Sequence, residues 1–257
     1  MILIDTHCHL YGEEFNEDID AVIERAKQQG VEKFYLPGID STAISSMFEL
    51  EKKYPKNCFA MMGLHPCYVK ENYKEELKLV EDWLNKRPFA AVGEIGLDFY
   101  WDTTFKKEQL EAFNLQMDWA LEKQLPIVIH TRNAMQETIE MVKPYAAKGL
   151  KGIFHCFSGS YESAIQITQM GFLLGIGGVI TYKNAGLGEV IAKIGLEHLV
   201  LETDAPYLTP VPFRGKRNES AYLQYVLSKL AAVKEVSEKE IAAITSINAE
   251  KLFAHSS

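Results

Sequence analysis

Apolar runs rich in β-branched and aromatic residues recur along the chain, separated by longer stretches whose apolar positions repeat at helical spacing. The runs predict strands at 2–6, 31–36, 58–62, 89–93, 126–130, 151–155, 172–176 and 198–203. Stretches such as 17–29, 71–87, 104–124 and 133–148 predict helices, and Gly30 and Gly149 stand where a C-cap should precede the next strand. Eight strands, each followed by helical sequence, predict an α/β protein with the (β/α)8 TIM-barrel architecture. A doubly wound open sheet shares the alternation and is the alternative. The segment from 219 to 254 predicts one or two more helices packed on the outside. No linker or low-complexity tract breaks the pattern, so residues 1–257 read as a single domain.

Composition narrows the class. A hydrophobic fraction of 47% fills one core and excludes general disorder, while 24% charged residues is ordinary for a surface in water. The net charge of −8 argues against coating nucleic acid by bulk electrostatics but leaves room for an enzyme that grips phosphates locally. Cys8, Cys58, Cys67 and Cys156 lack CxxC or disulfide-framework spacing and read as free thiols in a reducing compartment. The opening MILIDTHCHLYG has no signal-peptide pattern, and no apolar stretch is long enough to span a bilayer. The expectation is a cytoplasmic, membrane-free, monomeric enzyme.

Barrel enzymes carry their chemistry at the C-terminal ends of the strands. Potential metal ligands fall there repeatedly: His7 and His9 after the first predicted strand, Glu94 after the fourth, His130 after the fifth, His155 after the sixth and Asp204 after the eighth. Residues two apart on a strand share a face, so His7 and His9 can both point into the mouth, as can Glu202 and Asp204. A lone histidine is ordinarily a hydrogen-bonded packing residue. Here four of seven histidines end predicted strands and His65 lies just beyond the third, leaving His198 and His255 as surface or packing residues. So many imidazoles and carboxylates in one mouth require a cation. The donor types suit Zn, Mn or Fe(II), with Mg possible where carboxylate and water dominate. Six ligands exceed the needs of one tetrahedral ion. Two divalent cations about 3.5–4 Å apart use them more naturally. The expected split is His7, His9 and Asp204 on one ion and His130 and His155 on the other, with Glu94 and a hydroxide between.

Longer motifs sharpen this. DTHCHL at 5–10, GLHP at 63–66, VGEIGLDFY at 92–100, HTR at 130–132, HCFSG at 155–159, ETDAPYL at 202–208 and RGKRNE at 214–219 occur in this order across nearly the whole chain. With them the chain resembles the TatD family of metal-dependent hydrolases, in the amidohydrolase-like barrel superfamily. The resemblance implies a TIM barrel with metal ligands His7, His9, Glu94, His130, His155 and Asp204. It also implies hydrolysis of nucleic-acid phosphodiesters by a deoxyribonuclease, with 3′→5′ exonuclease action on single-stranded DNA known in several members. Some relatives lack the His-x-His pair, so its presence implies the fuller, binuclear site. Ser220 departs from the pattern, because relatives often carry proline there; the expected effect is on the start of the last helices and not on the metal site.

The expected chemistry is attack of a metal-activated hydroxide on phosphorus, with Glu94 and Asp204 as the catalytic carboxylates. Asp204 either orients the nucleophile and moves its proton or serves purely as a ligand. Glu202 and Asp98 are expected to support the ligands from behind, and Glu202 has a substrate hydroxyl as its alternative partner. His65, Arg132, Arg214 and Asn218 are the expected substrate contacts, arginine offering phosphate a bidentate fork. The basic run Arg214, Lys216, Arg217 is otherwise a solvated loop. Tyr100 and Trp101 either stack bases or pack on the rim. Competing readings keep the site but replace DNA with a small phosphoester, ester, amide or lactone, or make the chain a non-catalytic metal or nucleic-acid binding module. The complete ligand set speaks against the last.

Overall fold

The computed structural model describes residues 1–254, so His255 lies outside the described residues. Eight strands alternate with helices: β1 Leu3–Asp5, α1 Ile19–Gln28, β2 Val31–Leu36, α2 Ile44–Lys53, β3 Cys58–Ala60, α3 Tyr73–Lys86, β4 Val92–Asp98 and α4 Lys106–Glu122. The second half runs β5 Ile127–Arg132, α5 Met135–Ala146, β6 Gly152–Phe154, α6 Tyr161–Gln169, β7 Leu173–Ile176, α7 Leu187–Ile191, β8 Leu199–Leu201 and α8 Leu223–Lys234, followed by α9 Glu238–Phe253.

Neighbouring strands pair in parallel, β1 to β3 in one run and β4 to β8 in another. Two junctions close the ring. A parallel bridge joins Met62 to Val92, and the Thr6 amide donates to the Leu201 carbonyl at 3.1 Å. This is a barrel and not the open sheet, because the first strand is bonded to the last.

Alternation along the strands sorts the core into two parts. Residues such as Leu3, Phe34, Ile127, Ile129, Leu199 and Leu201 face the helices in one large cluster. A smaller cluster takes about one side chain from each strand or its flank: Ile4, Tyr35, Met61, Ala91, Val128, Ile153, Leu173 and Val200. These fill the barrel interior, as the fold requires. The C-terminal segment corrects the expectation of purely external packing. Ala249 and Phe253 of α9 join the interior cluster, and Phe253 stacks on Tyr35 with ring centroids 3.8 Å apart. The last helix therefore plugs one end of the barrel and leaves the opposite, loop-bearing mouth for chemistry.

Strand ends differ from expectation where the ligands lie. β1 stops at Asp5 and β8 at Leu201, so His7, His9, Glu202 and Asp204 stand on the loops beyond. Conversely, β4 continues to Asp98 and places Glu94 within the strand.

Candidate metal centre

Backbone pairing carries the β1 and β8 loops together past the end of the ladder. Asp204 N donates to His7 O at 2.9 Å and His9 N to Ala205 O at 2.7 Å. Asp204 itself holds a left-handed backbone, φ 55°, which aspartate tolerates better than most residues. Glu94 reaches the mouth from mid-strand because the β4–β5 register slips there: Gly93 opposes Val128 and Ile95 opposes Ile129, leaving Glu94 as the extra residue. A bulge of this kind re-aims a side chain. Gly96, at φ 142°, then lets β4 press against β5, since a Cβ there would meet the His130 carbonyl at 2.0 Å.

All six expected ligands converge, with Glu94 at the centre and only 2% exposed. Its Oε2 lies 3.1 Å from His7 Nε2 and 3.6 Å from His9 Nε2. Oε1 lies 2.9 Å from His155 Nε2, 3.0 Å from His130 Nδ1 and 3.2 Å from His65 Nε2. Asp204 Oδ1 stands 3.6 Å from both His7 Nε2 and His9 Nε2. The two oxygens of one carboxylate thus face two different sets of imidazoles. His155 approaches both sets, because its ring stacks on that of His7 at 3.8 Å as well as facing Oε1.

Electrostatics follow from this crowding. Burial alone pushes the Glu94 carboxyl up, but the imidazoles of His65, His155 and His7 outweigh it and hold it well below the usual carboxylate range. Burial and the neighbouring His155 push His7 down despite Glu94. Burial opposes a charge on His155 too, yet Glu94 and Glu202 carry it well above the ordinary histidine value. The buried Nδ1 atom of His7 lacks a hydrogen-bond partner among the described residues. A buried set of imidazole nitrogens and carboxylate oxygens converging on one mouth fits divalent cations of the Zn or Mn type. Four trios among the described residues place one donor atom each within 4.8 Å of the others: His7, His9 and Glu94; His7, His155 and Asp204; Glu94, His130 and His155; and His65, Cys67 and His130 at the edge of the cluster.

Neighbouring groups fix which nitrogen faces the site. Tyr11 donates its hydroxyl hydrogen to the Pro37 carbonyl at 2.5 Å, so His9 Nδ1, 2.9 Å from the Tyr11 oxygen, is the donor there and Nε2 keeps its lone pair. Asp98 Oδ2 accepts from His130 Nε2 at 2.8 Å, which leaves Nδ1 for the Glu94 side. Glu202 Oε1 accepts the Cys156 amide at 2.5 Å and lies 3.5 Å from His155 Nδ1. Space for Glu202 exists because residue 175 is glycine: a Cβ there would stand 2.1 Å from Oε2. Histidines held in this way would keep their ring orientation as ligands. Tyr11 was not among the expected residues; its only sequence signal is its place two residues after His9.

His65 behaves differently. The Cys67 amide donates to its Nδ1 at 3.0 Å, so Nε2 carries the proton and acts as a donor. Arg132 and Arg214 are exposed and stack on aromatic rings, Arg132 3.8 Å over Tyr100 and Arg214 4.2 Å over Tyr182. Asn218 is a correction. Its side chain is fully buried and donates to the Thr203 carbonyl at 2.8 Å and the Tyr207 carbonyl at 2.7 Å, so it shapes the loop carrying Asp204 and does not face a substrate. Arg217 is likewise committed, to Asp18 at 2.8 Å through both nitrogens.

Ser220 also departs from expectation. Its hydroxyl donates to Asp5 Oδ2 at 2.6 Å, and Asp5 accepts from Thr203 N at 3.0 Å and from His7 N at 3.4 Å. Ser220 is therefore one residue removed from the backbone of His7, a candidate ligand.

Residues 4–254 match the family described as TatD related DNase. The chain is 41% identical to the uncharacterized metal-dependent hydrolase YabD of Bacillus subtilis, covering 98% of this chain and 99% of that one. It is 31% identical to the 3′-5′ ssDNA/RNA exonuclease TatD of Erwinia tasmaniensis, covering 98% and 99%. The structure of the TatD homologue YJJV from Escherichia coli superposes with a TM-score of 0.93 at 32% identity, covering 98% of both chains. With the match spanning the barrel from β1 to the end of α9, this chain belongs to the TatD family of metal-dependent hydrolases.

Proposed function

We propose that this hydrolase cleaves phosphodiester bonds in DNA, as a deoxyribonuclease acting on single strands in the 3′→5′ direction. The observation that carries the reading is the state of the arginines. Arg25, Arg87 and Arg217 are paired with carboxylates, whereas Arg132 and Arg214 have no carboxylate partner among the described residues. Both lie on loops or strand ends at the mouth, and a guanidinium stacked on a ring keeps its edge free for phosphate. The name of the Erwinia relative supports a nucleic-acid substrate. A small ester, amide or lactone offers neither arginine a phosphate, and a small phosphoester offers one phosphate where a strand offers several.

His7, His9 and Asp204 would hold one divalent cation and His130 and His155 a second, with Glu94 between them. Such cations, Zn, Mn or Mg, lower the pKa of bound water and neutralise phosphoryl oxygens. The protein's own groups do the rest. Arg132 and Arg214 would grip phosphates at the mouth, and the His65 Nε2 proton, which faces Glu94 Oε1 at 3.2 Å, would turn to a phosphoryl oxygen once a cation takes up that carboxylate. Asp204, with 13% of its side chain exposed, is the carboxylate placed to take the proton of the attacking water. Tyr11, Asp98 and Glu202 keep His9, His130 and His155 in register.

The test is incubation of labelled single-stranded DNA with the purified protein and its Asp204→Asn form, with and without Mg²⁺, Mn²⁺ or Zn²⁺. Cleavage that requires the metal and the carboxylate is expected. Equal cleavage by both forms sinks the assignment.

A further inference from the structure

Several large apolar side chains exposed to water stand at the mouth. Tyr68 follows β3, Tyr100 and Trp101 follow β4, and Tyr207 and Leu208 follow β8. Trp101 is the most exposed of them at 68%, and Tyr100 beside it is 51% exposed. Their rings meet edge-on, with centroids 4.9 Å apart. The Arg132 guanidinium lies 3.8 Å over the Tyr100 ring and 5.0 Å from that of Trp101.

The turn that presents these rings is held rigidly. Asp98 Oδ1 accepts the Tyr100 amide at 2.9 Å and the Trp101 amide at 3.0 Å. Phe99 N donates to the Arg132 carbonyl at 2.9 Å, extending the β4–β5 ladder. From α4, the Gln109 side chain accepts from Asp98 N at 2.9 Å and donates to Asp98 O at 3.1 Å. The other oxygen of the same Asp98 carboxylate holds His130 at 2.8 Å. One side chain therefore sets the position of a metal ligand and of two exposed aromatic rings together.

We propose that Tyr100 and Trp101, with Arg132, form a stacking platform for a base of the nucleic-acid strand next to the scissile phosphate. The proposal rests on the phosphodiesterase reading above. Rigid, flat, solvent-exposed rings lose little conformational entropy when they take up a base, and every base offers a π-face. Arg132 adds a cation beside the rings, so one subsite binds a base and the adjoining phosphate. A small ester or lactone has nothing to place there. The platform favours single strands, whose bases are free to leave the stack, and it is tolerant of sequence because stacking reads no hydrogen-bond pattern.

The experiment uses the Mn²⁺-loaded protein, a single-stranded oligodeoxynucleotide and an all-abasic strand of equal length. Trp101→Ala is expected to raise KM on the native strand about tenfold, the loss that removal of one base–aromatic stack brings, with kcat little changed. Trp101→Phe restores most of the loss. The abasic strand is bound poorly by the wild type, and Trp101→Ala makes it no worse. An unchanged KM on the native strand, or an equal loss on both strands, overturns the platform. A fluorescence titration with a phosphorothioate single strand, chosen to resist cleavage, separates this from failure of the underlying reading. If the wild type cleaves no strand with any metal, the phosphodiesterase reading falls. Base stacking on Tyr100 and Trp101 is then still supported, as single-strand binding without cleavage, if the phosphorothioate strand quenches a tryptophan signal that Trp101→Ala lacks and the abasic strand leaves it unchanged, and it falls if no quenching occurs.

Discussion

Asp98 Oδ2 sits 2.8 Å from His130 Nε2, and because it accepts that proton, Nδ1 is the His130 atom that turns toward Glu94. Asp98→Ala removes the acceptor and frees the ring to rotate. Loss of a carboxylate behind a ligating histidine weakens metal affinity by about 10–100-fold. Calorimetric titration of metal-free protein with Mn²⁺ measures it, and an unchanged affinity refutes the orienting role.

Glu94 is the carboxylate whose two oxygens face both imidazole sets, so its removal should affect every bound ion. Metal analysis of Glu94→Gln should show loss from both positions, whereas Asp204→Asn should spare the one facing His130. Equal depletion by the two substitutions contradicts the proposed division.

Much of this site is legible in the sequence because barrel strands deliver residues to one end, and motifs such as DTHCHL and ETDAP mark those ends. What escapes is whatever depends on contacts between distant loops. Asn218 has the polarity of a substrate contact, but only the fold shows its amide consumed by the Thr203 and Tyr207 carbonyls. The reach of Glu94 depends on a register slip that the VGEIGLD run does not announce, since a bulge leaves composition unchanged. α9 reads as an outer helix because its polar positions resemble those of the surface helices, while Phe253 finds the barrel interior through Tyr35, about two hundred residues earlier in the chain.

Ser220 supplies a buried hydrogen bond to a buried carboxyl. Ser220→Ala leaves Asp5 Oδ2 with the Thr203 hydroxyl alone, and the loss of such a partner costs about 1–3 kcal/mol. Urea unfolding of the metal-free protein should show it as a lower midpoint at constant m-value. An unaltered midpoint means that the bond contributes nothing net.

Chelation should destabilise the fold as well as abolish activity. A ligand at about one hundred times its Kd adds about 2.7 kcal/mol to the native state. For a domain of this size that is about 5–10 °C in Tm. Thermal unfolding with Mn²⁺ and then with excess EDTA measures the difference. Identical curves indicate that the cluster holds no ion under those conditions.

Arg214 and Arg217 are three residues apart yet should respond in opposite ways. Arg217 bonds Asp18 through both outer nitrogens and the Glu14 carbonyl at 2.6 Å, tying the β8 loop to the start of α1. The pair is about one-third exposed, so screening limits it to about 1 kcal/mol. Reversal in Arg217→Glu adds repulsion from Asp18 and Glu219, and it should lower stability and, through the loop, activity on every substrate alike. Arg214→Glu breaks no ion pair. It should leave thermal stability unchanged, raise KM for single-stranded DNA severalfold or more and flatten the salt dependence of binding, because one phosphate contact is gone. Hydrolysis of a small phosphodiester should be nearly unaffected. Parallel loss on DNA and on the small substrate in Arg214→Glu makes this arginine a structural residue, and removes the observation on which the choice of DNA depends.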